Sequence, residues 1–336
     1  MALSQSDKNL LYALQYAGDE PISKICRALG LKEGTAQGKI ARWVREGKIQ
    51  RRVFVNTYVL GLSEYEVYFS PRGKPSGREV ALKKAVMSSD ALRWFYRLAG
   101  SYDYSLGLEA ARVSQIVGLL EDLDGRFPGL LSRKQIGAGV RYWWFGRRYL
   151  APAGTRFPTG IEMAPLDDII EIDETDHRIL QVLGSQHLGS IRDLARTIRI
   201  PQETAAYRVR QLKHTGVIAG SPYIASTDWL GVGVFRLLLA FRSFSGSIHR
   251  TLLSWCRQQR ALVSMMRVLG NWDYTLRFEV ENTEELVAIR DDLQALFSDE
   301  LARCDVTSVV KEVVFSTYPH AHSCARPRSS PTTLRR

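Results

Sequence analysis

The chain switches between two hydrophobic periods. In residues 174–218 apolar positions recur at helical spacing. Ile179, Leu180 and Leu183 share one stripe of Glu174–Leu183, and Ile191, Leu194, Ala195 and Ile198 share one face of Ile191–Ile198. Ser190 is placed to cap the second of these helices, with Asp193 at its third position. A turn at Arg199–Pro201 leads into a third helix, Gln202–Thr215. There Thr204, Ala205, Val209 and Leu212 point inward and Gly216 provides a left-handed cap. Val217 and Ile218 open a short strand, the start of a wing. Beyond this the pattern becomes strand-like. Val234–Phe241, Leu262–Leu269, Trp272–Val280 and Val306–Phe315 read as strands, with helices at Gly246–Arg260 and, capped by Thr283, at Glu284–Phe297. The order is βαββαβ. Helices on one face of such a sheet leave the other face in need of a cover.

The same succession occupies the first half. A third helix at Glu33–Glu46 is followed by Tyr65–Phe69, Arg78–Met87, Leu92–Leu98, Tyr102–Glu109, Val113–Leu123 and a terminal strand at Gly139–Phe145. Ser6–Arg52 lies over Thr175–Ser221 without a gap. Asp7 falls on Asp176, Leu14 on Leu183, Cys26 on Ala195, Lys39 on Arg208 and Gly47 on Gly216. Further on, GSYDY (Gly100–Tyr104) falls on GNWDY (Gly270–Tyr274). The chain therefore reads as an internal duplication of fold class α+β, a tandem repeat of a winged helix-turn-helix followed by a ferredoxin-like βαββαβ domain. The expected divisions are 1–60 and 61–150 for the first unit, a Pro/Gly/Ala-rich linker at 151–168, 169–230 and 231–319 for the second unit, and a basic, disordered tail at 320–336. The simplest cover for each open sheet face is the sibling sheet, making an intrachain pseudo-dimer. Further homo-oligomerisation is left open.

Composition adds a direction. Of 336 residues, 46 are Lys or Arg against 35 Asp or Glu, a formal net charge of +11, which favours a polyanionic partner. No apolar run is long enough to span a membrane and no secretory leader is visible, so a cytoplasmic location is expected. The four cysteines form no CxxC pair, and His320, His322 and Cys324 make a weak metal set, so no metal and no cofactor is expected.

Three short helices with a tight turn between the second and third make a unit that docks on double-stranded DNA. In the first copy the candidate DNA contacts are Thr35, Gln37, Lys39, Arg42 and Arg45, with Arg51 and Arg52 in the wing. In the second they are Gln202, Thr204, Tyr207, Arg208, Arg210, Gln211 and Lys213. Gly34 and Gly38 interrupt the first copy's third helix, each at a cost of about 1 kcal/mol relative to Ala. The turns after the second strand of each βαββαβ domain offer candidate effector contacts, Gly100, Tyr102, Asp103, Gly270, Trp272 and Asp273. Their glycines would let backbone amides approach a ligand closely. The turn aspartates lack a His, Cys or Ser partner, so no catalytic residue is assigned and the chain is expected not to be an enzyme.

These residues carry a resemblance. IDETDHRILQVL, IRDLARTIRIPQETAAYRVRQLKHTGVI and LGNWDYTLRFEV in the second copy, and QSDKNLLYAL, ISKICRALGLKEGTAQGKIARWVREGKI and AGSYDYSLGLEA in the first, resemble the Lrp/AsnC family of transcription regulators. That resemblance implies a sequence-specific DNA-binding regulator whose βαββαβ domains respond to an amino acid or another small molecule. A related branch of the same architecture, the sirohaem decarboxylases, is the alternative. For that branch Arg97, Arg141, Arg147, Arg148, Arg267 and Arg277 are the available arginines, and His249 is the one histidine of the βαββαβ parts. A ligand sensor or scaffold that does not bind DNA is the third reading.

Overall fold

The computed structural model describes residues 3–16, 20–72, 79–152, 154–185, 190–243 and 245–319. The expected tail at 320–336, with His320, His322 and Cys324, and most of the loop Ser70–Glu79 lie outside the described residues. The architecture is mixed α/β, with helix-turn-helix-like heads and a larger sheet-rich region.

The first half contains helices α1 (Gln5–Tyr16), α2 (Ile22–Leu29) and α3 (Glu33–Arg45), then strands β1 (Ile49–Arg51) and β2 (Phe54–Val55) and a 3-10 turn at Thr57–Leu60. There follow β3 (Ser63–Ser70), α4 (Glu79–Met87), β4 (Leu92–Gly100), β5 (Tyr104–Ala110), α5 (Val113–Arg126) and β6 (Arg133–Trp144). A short strand, β7 (Ile161–Met163), pairs with Trp144–Tyr142 of β6, so the segment read as a plain linker contributes to the sheet. The second half contains α6 (Glu174–Ser185), α7 (Ile191–Ile198), α8 (Gln202–His214), β8 (Ile218–Gly220), β9 (Tyr223–Ala225), α9 (Thr227–Leu230), β10 (Gly233–Phe241) and α10 (Gly246–Gln258). It ends with β11 (Leu262–Gly270), β12 (Tyr274–Val280), α11 (Thr283–Leu296) and β13 (Leu301–Phe315). Both terminal strands begin earlier than their apolar patterns suggest, because Arg133, Lys134 and Arg303 are exposed polar residues held by backbone pairing.

Within each half the strands take the order β4-β5-β3-β6 and β11-β12-β10-β13. The two sheets also join at both edges. β13 pairs antiparallel with β4 and β11 pairs antiparallel with β6, which closes eight strands into a barrel and leaves no free edge between the halves. Helices α4 and α5 pack on one side over Val67, Phe95, Leu106 and Leu108. On the other side α10 and α11 pack over Leu237, Met265, Leu276 and Phe278. The inward-facing side chains of the strands form a separate core of Tyr68, Trp94, Tyr96, Leu238, Met266 and Trp272. The side of each sheet left open by its helices is thus covered by the other sheet.

The heads are also interleaved. β1 pairs with β9 (Ile49 opposite Ala225) and β2 with β8 (Phe54 opposite Gly220). Val53, Val55 and Val59 therefore complete the core of α6–α8, while Leu150 and Ala225 complete that of α1–α3. The caps differ between heads. The Ser190 hydroxyl accepts the Asp193 amide at 3.2 Å, whereas α2 starts after Pro21 with no side-chain cap. The turn after α2 uses Gly30 at φ 64°, and the equivalent turn after α7 puts Arg199 in the same left-handed region at φ 57°. Two details differ from the sequence reading. Thr204 is exposed rather than inward, and α11 is capped by Asn282, whose side chain accepts the Glu285 amide at 2.9 Å, instead of by Thr283.

Candidate ligand site at the mouth of the barrel

Strand alternation explains how charge reaches the barrel interior. On β12, Leu276 and Phe278 face the helices, so Thr275, Arg277 and Glu279 face inward. On β3 the same alternation turns Glu64, Glu66 and Tyr68 inward, and on β10 it turns Arg236 and Leu238 inward. These charges are paired. Arg236 bonds Glu66 and lies 4.5 Å from the centre of the Trp94 ring, and Thr275 donates to Glu66 at 2.5 Å. They hold the middle of the barrel together and close it.

At one end of the barrel a cavity of about 530 Å³ remains, within the range of small-molecule sites. Tyr96, Tyr142, Trp144, Phe54 and Phe315 give it aromatic walls, and Arg52, Arg147, Arg277 and Lys311 give it four cations. Three acids, Asp228, Glu279 and Glu312, offset three of those four charges. Glu279 is fully buried and sits at the centre of a clamp. The Arg147 guanidinium donates to it twice, at 2.5 and 3.1 Å, Arg277 donates at 3.1 Å and the Tyr149 hydroxyl at 2.6 Å. Burial opposes its ionisation, but Arg147 and Arg277 together hold the carboxyl down at about 2. Arg52 lies 4.2 Å from the centre of the Phe315 ring and 3.4 Å from Glu312. The Tyr96 and Tyr142 hydroxyls are pushed above their ordinary range by burial and stay protonated at neutral pH.

The expected DNA contacts divide into two groups. Thr35, Gln37, Arg42 and Arg45 on α3, and Gln202, Thr204, Tyr207, Arg210 and Gln211 on α8, are exposed. Lys39 and Arg208, which occupy equivalent places, brace the third helix against the first. Lys39 pairs with Asp7 at 2.6 Å, and Arg208 with Asp176 at 3.2 Å and Asp173 at 2.6 Å. Lys213 and Arg51 are half-buried, and Arg52 is turned into the cavity.

The expected effector contacts lie at the seams between the halves. A Cβ on Gly100 would meet the Val306 carbonyl at 2.7 Å, and one on Gly270 would overlap the Ile136 carbonyl, so the close approach these glycines allow is made by a strand of the other half. Asp273 accepts the Phe241 amide at 2.7 Å, and the Asp103 amide is bonded to the Phe69 carbonyl at 3.2 Å. Tyr102 and Trp272 are buried on either side of Tyr68, at ring-centre distances of 5.7 and 5.3 Å.

Of the six arginines set aside for the alternative reading, Arg147 and Arg277 meet in the cavity. Arg148 is tied to the Cys256 and Arg257 carbonyls. Arg97 and Arg141 stand at the seams with their guanidinium groups near Tyr104 and Trp143, and Arg267 pairs across the seam with Arg141 in the strand register. His249 stacks on Tyr274 beside Trp143, away from the cavity, with its pKa lowered by burial and by Arg267 and Arg141. Sequence reading took the aromatic clusters holding Tyr96 and Tyr142 for a protein interface or sheet packing and gave no role to Glu279, Lys311 and Glu312. Tyr96, Tyr142 and Glu279 share one signal, a polar or amphipathic residue at the inward phase of a strand, whereas Lys311 and Glu312 are consecutive residues between two register shifts of β13.

Among the described residues, no group of three or more His, Cys, Asp or Glu is placed to hold a metal ion. No described helix is long and apolar enough to cross a membrane.

Comparison with known proteins first gives a class. No family model matches the chain. Over about a third of its length it is similar to helix-turn-helix transcriptional regulators. The uncharacterized HTH-type transcriptional regulator PH1916 of Pyrococcus horikoshii is 25% identical over 116 residues, 34% of this chain and 77% of that one. The regulator AldR of Mycobacterium tuberculosis is 29% identical over 119 residues, 34% of this chain and 65% of that one. Another relative, PF1231 of Pyrococcus furiosus, is 25% identical over 147 residues, 43% of this chain and 98% of its own length. The chain thus carries the helix-turn-helix regulator fold over part of its length.

A particular structure matches end to end. The crystal structure of the siroheme decarboxylase NirDL covers 96% of this chain and 96% of its own, with a TM-score of 0.59 at 12% identity. The same enzyme in complex with an iron-uroporphyrin III analogue gives 0.58 over 94% of each chain, at 11% identity. The likeness is one of fold. It overturns the expectation that the chain is not an enzyme, because the whole architecture read as regulatory is also that of a decarboxylase.

Proposed function

We propose that the chain binds a flat, polycarboxylated tetrapyrrole in the cavity at the barrel mouth and removes carboxylate from its acetate side chains, as a sirohaem decarboxylase does. One observation carries this reading: four cations and five aromatic side chains converge on a single cavity where the two halves and the first head meet. Aromatic walls suit the faces of a macrocycle. Arginines suit its rim, because each guanidinium can bond a carboxylate in bidentate fashion. In the reaction the bond between the acetate methylene and its carboxylate breaks, CO2 leaves, and one proton is taken up so that a methyl group remains. Tyr96 and Tyr142, both protonated, are the phenolic donors that line the cavity. The Arg147–Glu279–Arg277 clamp fixes two guanidinium groups in advance, so that little reorganisation accompanies the chemistry. On this reading the two halves are copies of one unit that form a covalent pseudo-dimer, and the site is built at their junction.

The test is anaerobic incubation with sirohaem followed by mass analysis of the tetrapyrrole. Stepwise loss of CO2 with the wild-type chain, strongly reduced by Arg277→Met, is expected. Unchanged sirohaem contradicts the reading.

A second reading, a sequence-specific DNA-binding regulator with an amino acid or other small-molecule effector, is favoured by the exposed outer faces of α3 and α8, which present Arg42, Arg45, Tyr207 and Arg210. Salt-sensitive retardation of genomic DNA fragments, lost in Arg42→Ala and Arg210→Ala, would support it. Because the two faces differ, the operator would be asymmetric.

A further inference from the structure

The two halves can be compared position by position, because Gly100 and Gly270 fall on each other and the strand registers agree. In β4–β5 the cross-strand pair is Trp94–Gly107, and in β11–β12 the equivalent pair is Ser264–Arg277. Each pair directly follows the same register shift. The exchange is reciprocal. In the first half a large side chain lies over a glycine, and a Cβ on Gly107 would overlap the Trp94 indole. In the second half the small residue is Ser264, and its cross-strand partner Arg277 lines the cavity.

The neighbouring positions follow suit. Arg93 corresponds to Val263, Glu64 to Val234 and Tyr58 to Asp228. In the second half Val263, Val234 and Asp228 line the cavity. In the first half Arg93 is buried and bonded to Glu109, with Glu64 at 3.7 Å, and Thr57 donates to Glu109 at 2.5 Å. Tyr58 is buried with its hydroxyl 3.9 Å from the Met266 sulfur, and both crowd Gly139. Around Glu109 these side chains, with Met266 from the second half, pack against one another.

We propose that the chain holds one tetrapyrrole site, at the junction of the halves around Arg277 and Glu279, and that the exchange of Trp94–Gly107 for Ser264–Arg277 decides which of the two equivalent places has it. The first half's counterpart is a plug held by Arg93, Glu64, Glu109 and Thr57. This rests on the tetrapyrrole reading of the cavity and adds its stoichiometry and the residues that set it.

The experiment is a titration of the full chain with iron uroporphyrin III, followed by the Soret band and by calorimetry. One equivalent per chain is expected. Ser264→Trp, which copies the plug into the open half, weakens binding at least about tenfold, or about 1.4 kcal/mol, with the thermal unfolding midpoint retained. Glu109→Gln, in the closed half, leaves affinity and stoichiometry unchanged, whereas Glu279→Gln weakens binding. If Ser264→Trp does not fold, Arg277→Met carries the same expectation. Two equivalents per chain, wild-type affinity in Ser264→Trp and in Arg277→Met, or a loss in Glu109→Gln equal to that in Glu279→Gln overturns the single-site inference and leaves the tetrapyrrole reading standing. No binding by the wild-type chain overturns both.

Discussion

Glu109 and Glu279 occupy the same position in the two halves, both fully buried, and their surroundings drive them in opposite directions. Glu279 has Arg147, Arg277 and the Tyr149 hydroxyl around it and is ionised down to about pH 2. At Glu109 burial prevails, and the nearby Glu64 adds to it, so its carboxyl is held above the ordinary carboxylate range although Arg93 pulls the other way. The difference is one of supply. One carboxylate has two guanidinium groups, and the other shares a single guanidinium with a second carboxylate. A framework with the same strand order and register thus presents arginines to a cavity around Glu279 and sets its charges against one another around Glu109.

The strongest way to break the comparison is to separate the halves. β1 pairs with β9, β2 with β8, β13 with β4 and β11 with β6, so residues 1–160 alone expose four strand edges and lose part of each core. That fragment should not persist as a folded monomer. Light scattering with a cooperative thermal transition would show otherwise.

Next in size is the clamp. Glu279→Ala leaves two buried guanidinium groups without their partner and should cost about 3–5 kcal/mol in urea unfolding. An unchanged midpoint would mean the clamp is not stabilising.

The pH dependence sharpens the contrast. Glu279 has a depressed folded pKa, so its contribution is present above the unfolded value of 4.5 and is lost as pH falls toward about 2. That contribution is about 3 kcal/mol, and Glu279→Gln should remove this part of the acid limb. Glu109 has the opposite sign. Its raised folded pKa means that stability is lost as pH rises from 4.5 toward neutrality, so Glu109→Gln should gain on the wild type between pH 5 and pH 8 in the same measurement. Parallel curves for the two variants would erase the distinction between the halves.

The heads give smaller effects. Ser190→Ala removes the one side-chain cap that α7 has and α2 lacks, and should cost about 1 kcal/mol. Arg199→Gly should stabilise by about 0.5–1 kcal/mol, since it gives the second head the glycine that the first already has at φ 64°. Differential scanning calorimetry resolves both, and a loss of stability in Arg199→Gly would show that the arginine side chain compensates for its backbone strain.

Much of this fold was legible in the sequence. The helices of the heads end within two residues of where their apolar stripes and caps place them, since Ile191–Ile198 and Gly216 are local signals. The βαββαβ order was also legible, because its outward strand residues are apolar at every second position. The site was not. Glu66, Arg236, Arg277 and Glu279 occupy alternate strand positions, and in one strand that pattern is the same whether the polar face meets water or a polar interior. Only pairing between the halves makes it an interior. Arg52 illustrates the same limit. It follows a wing strand and was expected to grip phosphate, but β1 pairs with β9 of the other half and its side chain is carried into the cavity. Lys39 and Arg208 show the converse, since cations expected on a DNA-reading face are taken up by Asp7 and Asp176 on the first helix of the same head.

The most direct test of the cavity as the ligand site is a crystal structure of the full chain with iron uroporphyrin III. The account predicts one macrocycle against Phe54, Trp144 and Phe315, its carboxylates on Arg52, Arg147, Arg277 or Lys311, and Trp94 still lying over Gly107. A macrocycle bound elsewhere, or a second one in place of Trp94 and Arg93, would contradict it.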